Sequence, residues 1–175
     1  MVHEKGAELL PELSDIILYR NPNQINVLIL GSGDKSVENE FENLKSKYVG
    51  NYNCYIGYNE KLAHIIYAGA DFLLMPSRVE PCGLNQMYAL RYGTIPIVRR
   101  TGGLQDTVVD IGDGGFGICH DNVTLFDINH SVTRGIDLFL DKEKFQKTIK
   151  TAMQIDHSWN SVAQEYIAVY KSLMN

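Results

Sequence analysis

The sequence predicts an α/β fold, a Rossmann-like parallel sheet with flanking helices. Three observations carry this expectation. Short apolar runs of strand length recur at residues 25–30, 52–55, 72–75, 95–98 and 118–119. Segments with apolar positions at helical spacing separate them. The stretch from Phe72 to Gly103 reads strand, loop, helix, strand, loop. In a parallel sheet both of its loops emerge at the carboxyl end of the strands, where open α/β sheets bind ligands.

Each element follows from local chemistry. Met1 to Glu4 reads as a cut edge. Residues 7–19 place Leu9, Leu10, Leu13, Ile16 and Ile17 at helical spacing, and Pro11 is tolerable only near the first turn. Asn21-Pro22-Asn23-Gln24 is a loop, and the strand over 25–30 stops at Gly31. Gly31-Ser32-Gly33-Asp34 leads into a helix over 37–47. It lacks the third glycine of the dinucleotide fingerprint and reads as a tight strand-to-helix turn. After the strand at 52–55, Ile56-Gly57-Tyr58-Asn59 is an exit loop and 60–68 the next helix. His64, within that helix, reads as a solvated or packed histidine.

The Phe72 strand ends at Pro76-Ser77, and a turn-rich loop carries Arg78, Glu80, Pro81, Cys82 and Gly83. Helical spacing resumes at Leu84, Met87, Tyr88 and Leu90, and Gly93 suits a C-cap. The strand at 95–98 exits into Thr101-Gly102-Gly103, followed by a short helix over 104–109. Residues 110–117 are glycine-rich and read as a mobile surface loop. A helix over 126–140 presents Ile128, Val132, Ile136 and Leu140 on one face, and 142–153 is another. Asp156-His157-Ser158-Trp159 opens the last helix, with Val162, Ala163, Tyr166, Ile167, Tyr170 and Leu173 continuing its apolar stripe. We divide the chain into a domain at 1–155 and this terminal helix at 156–175.

Composition narrows the function. The 175 residues suffice for one domain with a sizeable core. A net charge of −5 without a basic run speaks against nucleic-acid binding. No apolar stretch approaches a membrane span, no signal peptide opens the chain, and the three cysteines Cys54, Cys82 and Cys119 lack zinc spacing. They read as reduced thiols in a cytosol-like compartment.

The two loops at the ligand edge suit a sugar phosphate. Glu80 can accept hydrogen bonds from sugar hydroxyls. The N–H groups after Gly83, and those of Thr101 to Leu104, can receive phosphate oxygens with the aid of helix dipoles. Generic spacing alone favours a plainer reading, in which Glu80 is a helix N-terminal acid and the glycines only turn the chain. Tyr58 can stack on a nucleobase or pack at the sheet rim.

The literal strings shift that balance. Pro76-Ser-Arg78, Glu80-Pro-Cys-Gly-Leu84, Arg91-Tyr-Gly-Thr-Ile-Pro96 and Arg99-Arg-Thr-Gly-Gly-Leu104 closely resemble bacterial glycogen synthases and plant starch synthases. These are retaining glucosyltransferases of the GT-B fold. The resemblance extends more loosely from Lys5 to the C-terminus and covers the second half of such an enzyme. It implies glucose transfer from ADP-glucose to the non-reducing end of an α-1,4-glucan, without a metal. It implies cytoplasmic location, or a plastid in a plant or alga.

The resemblance also implies roles. Glu80 matches the acid that contacts the donor glucose, and takes the catalytic role. Gly83, Leu84, Asn85 and Gln86 match the loop that meets the diphosphate and ribose, with Asn85 standing where threonine is frequent. Cys82 matches a cysteine beside the same site, and Thr101, Gly102 and Gly103 the second loop. Tyr58 matches a tyrosine that stacks on adenine. Lys5 resembles a lysine that neutralises the diphosphate, whose partner arginine would fall before Met1. Tyr88 stands where many GT-B enzymes carry a second glutamate, so no paired-carboxylate mechanism is built. The last helix would cross back to an N-terminal domain that supplies most of the acceptor site, so the chain alone is expected to be inactive. Rival readings are a sucrose-type synthase, a non-catalytic nucleotide- or glucan-binding module of the same fold, and a dinucleotide oxidoreductase.

Overall fold

The structure, a computed structural model, describes residues 3–174. Met1 and Val2, the start of the expected cut edge, lie outside it, as does Asn175.

Two 3-10 turns, His3–Lys5 and Ala7–Leu9, precede α1 (Leu10–Arg20). Pro11 sits in the first turn of α1, where its missing N–H costs nothing, so the predicted helix starts later than its apolar spacing suggested. The order continues β1 (Val27–Gly31), α2 (Lys35–Lys47), β2 (Tyr52–Ile56), α3 (Glu60–Gly69), β3 (Phe72–Met75) and α4 (Asn85–Tyr92). Then come β4 (Ile95–Arg99), α5 (Gly102–Thr107), β5 (Ile118–His120), α6 (Leu125–Leu140), α7 (Lys142–Met153) and α8 (Trp159–Leu173). Gly93, left-handed at φ 82°, closes α4 as predicted.

All strand pairs are parallel, but they form two ladders rather than the single sheet expected. β1 pairs with β2, with Val27 opposite Tyr52 and Gly31 opposite Ile56. β4 lies between β3 and β5, with Phe72 opposite Ile95 and Ile97 opposite Ile118. A proline in a central strand removes a ladder donor. Arg100 N–H reaches β5 at His120 O, whereas Ile95 N–H reaches Asp71 O on the β3 side. By alternation the missing N–H of Pro96 faces β5, which begins only opposite Ile97, so no ladder bond is lost.

β4 is covered on both faces. Ile95 and Ile97 pack with Ile118 against Leu138 of α6 and Phe145 of α7, while Val98 packs with Met75, Leu104 and Cys119 on the α5 side. Each such burial contributes roughly 1.5–3 kcal/mol. The two-stranded ladder rests on α2 through Val37, Phe41 and Leu44 against Tyr52 and Cys54. α1 joins the halves: Leu18 belongs to that cluster, while Leu13 and Ile17 pack on Ile128 and Leu74.

Three expectations are corrected. The buried face of α6 is Ile128, Ser131, Gly135 and Leu138, with Leu140 exposed, because a true 3.6-residue period drifts off the spacing of four. α5 begins at Gly102, two residues before the helix predicted, and ends at Thr107. The glycine-rich segment at 110–117 is clamped. Asp110 is buried, accepts both guanidinium nitrogens of Arg134 at 2.6 and 3.0 Å, and takes the Cys119 and Gly112 amides at 2.6 and 2.7 Å. Burial alone would push the Asp110 carboxyl up, but Arg134 and the two amides outweigh it and hold it below its ordinary value.

Candidate functional site

The site is assembled at the carboxyl end of β3 and β4. The first segment docks there through its backbone: Glu4 O accepts from the Arg78 and Val79 amides at 2.7 and 3.1 Å, and His3 O accepts from Arg78 Nη1 at 2.9 Å. Arg99 Nη1 donates to Arg78 O at 2.7 Å and holds the same loop from β4. This docking brings Lys5 to Glu80 across 75 positions of sequence, with Nζ donating to Oε2 at 2.6 Å. Glu80 is 8% exposed, and the buried Ser77 hydroxyl donates to the same oxygen at 3.3 Å. Ser77 was not singled out from the sequence, although it lies within the Pro76-Ser-Arg78 string.

The second loop meets the first backbone to backbone. A Cβ on Gly102 would lie 2.1 Å from Glu80 O, and one on Gly103 would lie 2.1 Å from Cys82 O, so only glycine fits. The Gly103 amide donates to Glu80 O and Pro81 O at 3.1 and 3.2 Å, and the Leu104 amide to Thr101 O at 3.1 Å. Neither amide is available to a phosphate in this arrangement, which corrects part of the expectation for Thr101 to Leu104. The N-terminus of α4 remains the better anion seat. Leu84 caps it without a side-chain hydrogen bond, and the first-turn amides of an α-helix have no intrahelical acceptor. Leu84 and Asn85 stand exposed at that end, and Cys82 is an exposed free thiol beside it.

Gln86, grouped from the sequence with the nucleotide-sugar residues, turns inward and is fully buried. Its Nε2 lies 3.1 Å from Cys82 O, Gly83 O and Thr107 Oγ1. Gly83 has φ 76°, and a Cβ there would approach Gln86 Oε1 to 2.5 Å. Thr107 had no distinguishing signal in the sequence.

Other predicted residues stand apart. Tyr58 is 84% exposed at the exit of β2, and its hydroxyl donates to Glu60 Oε2 at 3.2 Å, a bond that does not tie it to the Glu80 loop. Tyr88 packs with His64 and Tyr67 on the outer faces of α3 and α4, at ring-centroid distances of 5.6 and 6.0 Å. In the Gly31–Gly33 turn, Glu38 accepts the Gly33 amide at 2.8 Å and Asp34 caps α2 through the Ser36 amide at 2.8 Å. A carboxylate of the chain therefore occupies the place a dinucleotide phosphate would need.

Two surface depressions of ≈ 350 and ≈ 260 Å³ lie near the amino ends of β1 and β2, lined by Tyr48, Asn51 and Asn53 among others, and neither includes a residue of the Glu80 loop. Among the described residues no helix is long and apolar enough to cross a membrane, and no group of three His, Cys, Asp or Glu side chains is placed to hold a metal. Cys54, Cys82 and Cys119 are free, and burial pushes the Cys119 thiol up to about 11. None of the described residues of α8 is buried, and Trp159 is 81% exposed.

Comparison with known proteins places the chain in a family and a fold. A glycogen synthase from Flavobacterium johnsoniae is 56% identical over 174 residues, covering 99% of this chain and 37% of that protein. The catalytic domain of starch synthase IV from Arabidopsis thaliana, solved bound to ADP and acarbose, superposes with a TM-score of 0.84 at 34% identity, covering 98% of this chain and 36% of that one. A protein of Anabaena solved with UDP-glucose shares the fold, with a TM-score of 0.74 at 15% identity over 98% of this chain and 46% of that one. The chain thus spans little more than a third of the length of the curated relative it matches. Residues 1–154 match the family described as glycosyl transferases group 1, and the chain belongs to that family.

Proposed function

We propose that this chain is the donor-binding part of a glycogen or starch synthase, one that moves glucose from ADP-glucose to the non-reducing end of an α-1,4-glucan with retention. The observation that carries the reading is the Lys5–Glu80 pair at 2.6 Å, set beside the α4 N-terminus at the carboxyl edge of β3 and β4. A nucleotide-sugar donor presents the complements of both members. Its glucose hydroxyls are hydrogen-bond donors for Glu80. Its diphosphate is an anion for Lys5 and the first-turn amides of α4, contributed by Asn85 and its neighbours.

In this reading Glu80 orients the donor glucose and Lys5 stabilises negative charge as the nucleoside diphosphate departs. No second carboxylate is called for, and Tyr88 packs among the rings of His64 and Tyr67. Charge neutralisation by Lys5 and helix amides requires no metal. Tyr58, exposed at the exit of β2, offers a face for adenine. The starch synthase structure solved with ADP supports the choice of ADP-glucose. The glucan acceptor would bind mainly outside this chain, which by itself is expected to be inactive in transfer.

Calorimetric titration of the chain with ADP and with UDP, on wild type and Tyr58→Ala, tests this. ADP binding weakened roughly tenfold by Tyr58→Ala is the expected result, in line with about 1–3 kcal/mol for a base stacked on an aromatic ring. Preference for UDP moves the donor assignment, and binding of neither nucleotide refutes donor binding by this chain.

A further inference from the structure

Gln86 is a polar side chain with no solvent exposure, and its placement is costly. Its Oε1 is buried without a hydrogen-bond partner among the described residues. Its orientation is fixed by what surrounds the other end. Two backbone carbonyls, Cys82 O and Gly83 O, lie 3.1 Å from Nε2, and only an NH2 group can face both. The two hydrogens of the same NH2 are shared among these carbonyls and Thr107 Oγ1, also at 3.1 Å, and the Thr107 hydroxyl donates onward to Gly103 O at 2.5 Å. Gly103 in turn lies directly against the Cys82 carbonyl. The chain Gln86, Thr107, Gly103, Cys82 closes on itself. It ties the loop that carries Glu80 to α5 at the last residue of that helix, Thr107, whose hydroxyl reaches back to Gly103 in the first turn.

We infer that Gln86 and Thr107 are positioning residues that lock the Glu80–Leu84 loop onto α5, so that the loop backbone and the α4 N-terminus are set for a diphosphate before it arrives. The inference rests on the nucleotide-sugar reading and changes the part Gln86 plays in it. Gln86 acts through the loop, and its side chain does not touch the donor. An apolar side chain of the same shape would avoid the unpartnered oxygen but would release both carbonyls.

The test uses Gln86→Met, Thr107→Val and Thr107→Ser, with amide hydrogen exchange and ADP titration on each. The Gly103 amide, which donates to Glu80 O and Pro81 O, reports the lock directly. The Ile97 and Val98 amides of β4 report global stability. Gln86→Met and Thr107→Val should each speed exchange at Gly103 by roughly fivefold or more and weaken ADP binding by a similar factor, the effect of about one hydrogen bond. Exchange in β4 should change much less. Thr107→Ser, which keeps the hydroxyl, should restore both readouts, and the double variant should be no worse than the weaker single one.

Unchanged exchange at Gly103 overturns the lock. Faster exchange at Gly103 with undiminished ADP affinity overturns its bearing on the ligand. Equal acceleration in β4 reduces the effect to general destabilisation and overturns it as well. Wild type that binds ADP while the variants bind equally well sinks this inference alone. Wild type that binds no nucleotide sinks the nucleotide reading and this inference together.

Discussion

β4 has four of its five residues buried, whereas none of the five residues of β1 is buried. Both are parallel strands of similar apolar sequence, Ile-Pro-Ile-Val-Arg and Val-Leu-Ile-Leu-Gly. The difference is what surrounds them. β4 has a strand on each edge and helices on each face. β1 has one strand partner among the described residues, and its cover comes from α1 and α2. Lys5, Glu80 and the two interlocked loops are all held at the end of the enclosed ladder. The exposed Tyr58 leaves the open one. Close backbone contacts of the kind made by Gly102 and Gly103 persist only where rigid packing holds both partners. A platform for a flat ring needs no such enclosure.

The comparison predicts that equal changes have unequal effects in the two halves. The largest effect is expected from Gly103→Ala, whose Cβ would meet Cys82 O at 2.1 Å and Cys82 Cα at 2.6 Å. The two backbones must separate, at about 3–5 kcal/mol by urea denaturation. Gly50→Ala, just before β2 at φ 92° with open space around it, should cost only about 1–2 kcal/mol of backbone strain. Equal losses at the two positions would break the comparison.

Next comes Asp110→Asn. It leaves Arg134 without its carboxylate in a part-buried setting and should lower stability by about 3 kcal/mol. Asp15→Asn removes an ion pair with Lys47 near the surface of the other half, and the unfolding midpoint should barely move. If Asp15→Asn proves as damaging as Asp110→Asn, enclosure is not what separates the two ladders.

The smallest effect is a pH response. His120, at the end of β5, is 5% exposed. Its Nδ1 lies 3.0 Å from Asn122 O, which assigns the proton to that nitrogen and leaves Nε2 buried without a partner among the described residues. Burial lowers its pKa from 6.5, against the partial support of the Asn122 carbonyl and Asp127. The unfolded chain therefore takes up the proton first. The His120 contribution is complete above pH 6.5 and is lost as pH falls through the lowered folded-state value. β1 and β2 contain no histidine, so this response belongs to the enclosed half. Thermal unfolding at pH 7.5 and 5.5 should show a smaller difference for His120→Phe than for wild type. An unaltered difference would remove His120 from the account.

The strands, most helices and the loops between them were legible in the sequence because they depend on local chemistry: apolar period, caps and glycine punctuation. Gly93 closes α4 as read, and α7 spans the residues expected. Glu80 and the glycines of both loops were also named from the sequence, through the literal strings that resemble glycogen and starch synthases, and Lys5 through the looser resemblance beyond them. What the sequence could not give was contact between distant positions. Apolar period shows that residues 25–30 and 72–75 read as strands, but strand edges carry no side-chain label, so the break between the two ladders appears only in three dimensions. The inward turn of Gln86 onto Thr107, the clamp of Asp110 by Arg134, and the 2.6 Å pair between Lys5 and Glu80 are likewise tertiary. Each joins groups far apart in the chain, and the geometry of such pairs is set by packing of the elements between them, which no local pattern encodes.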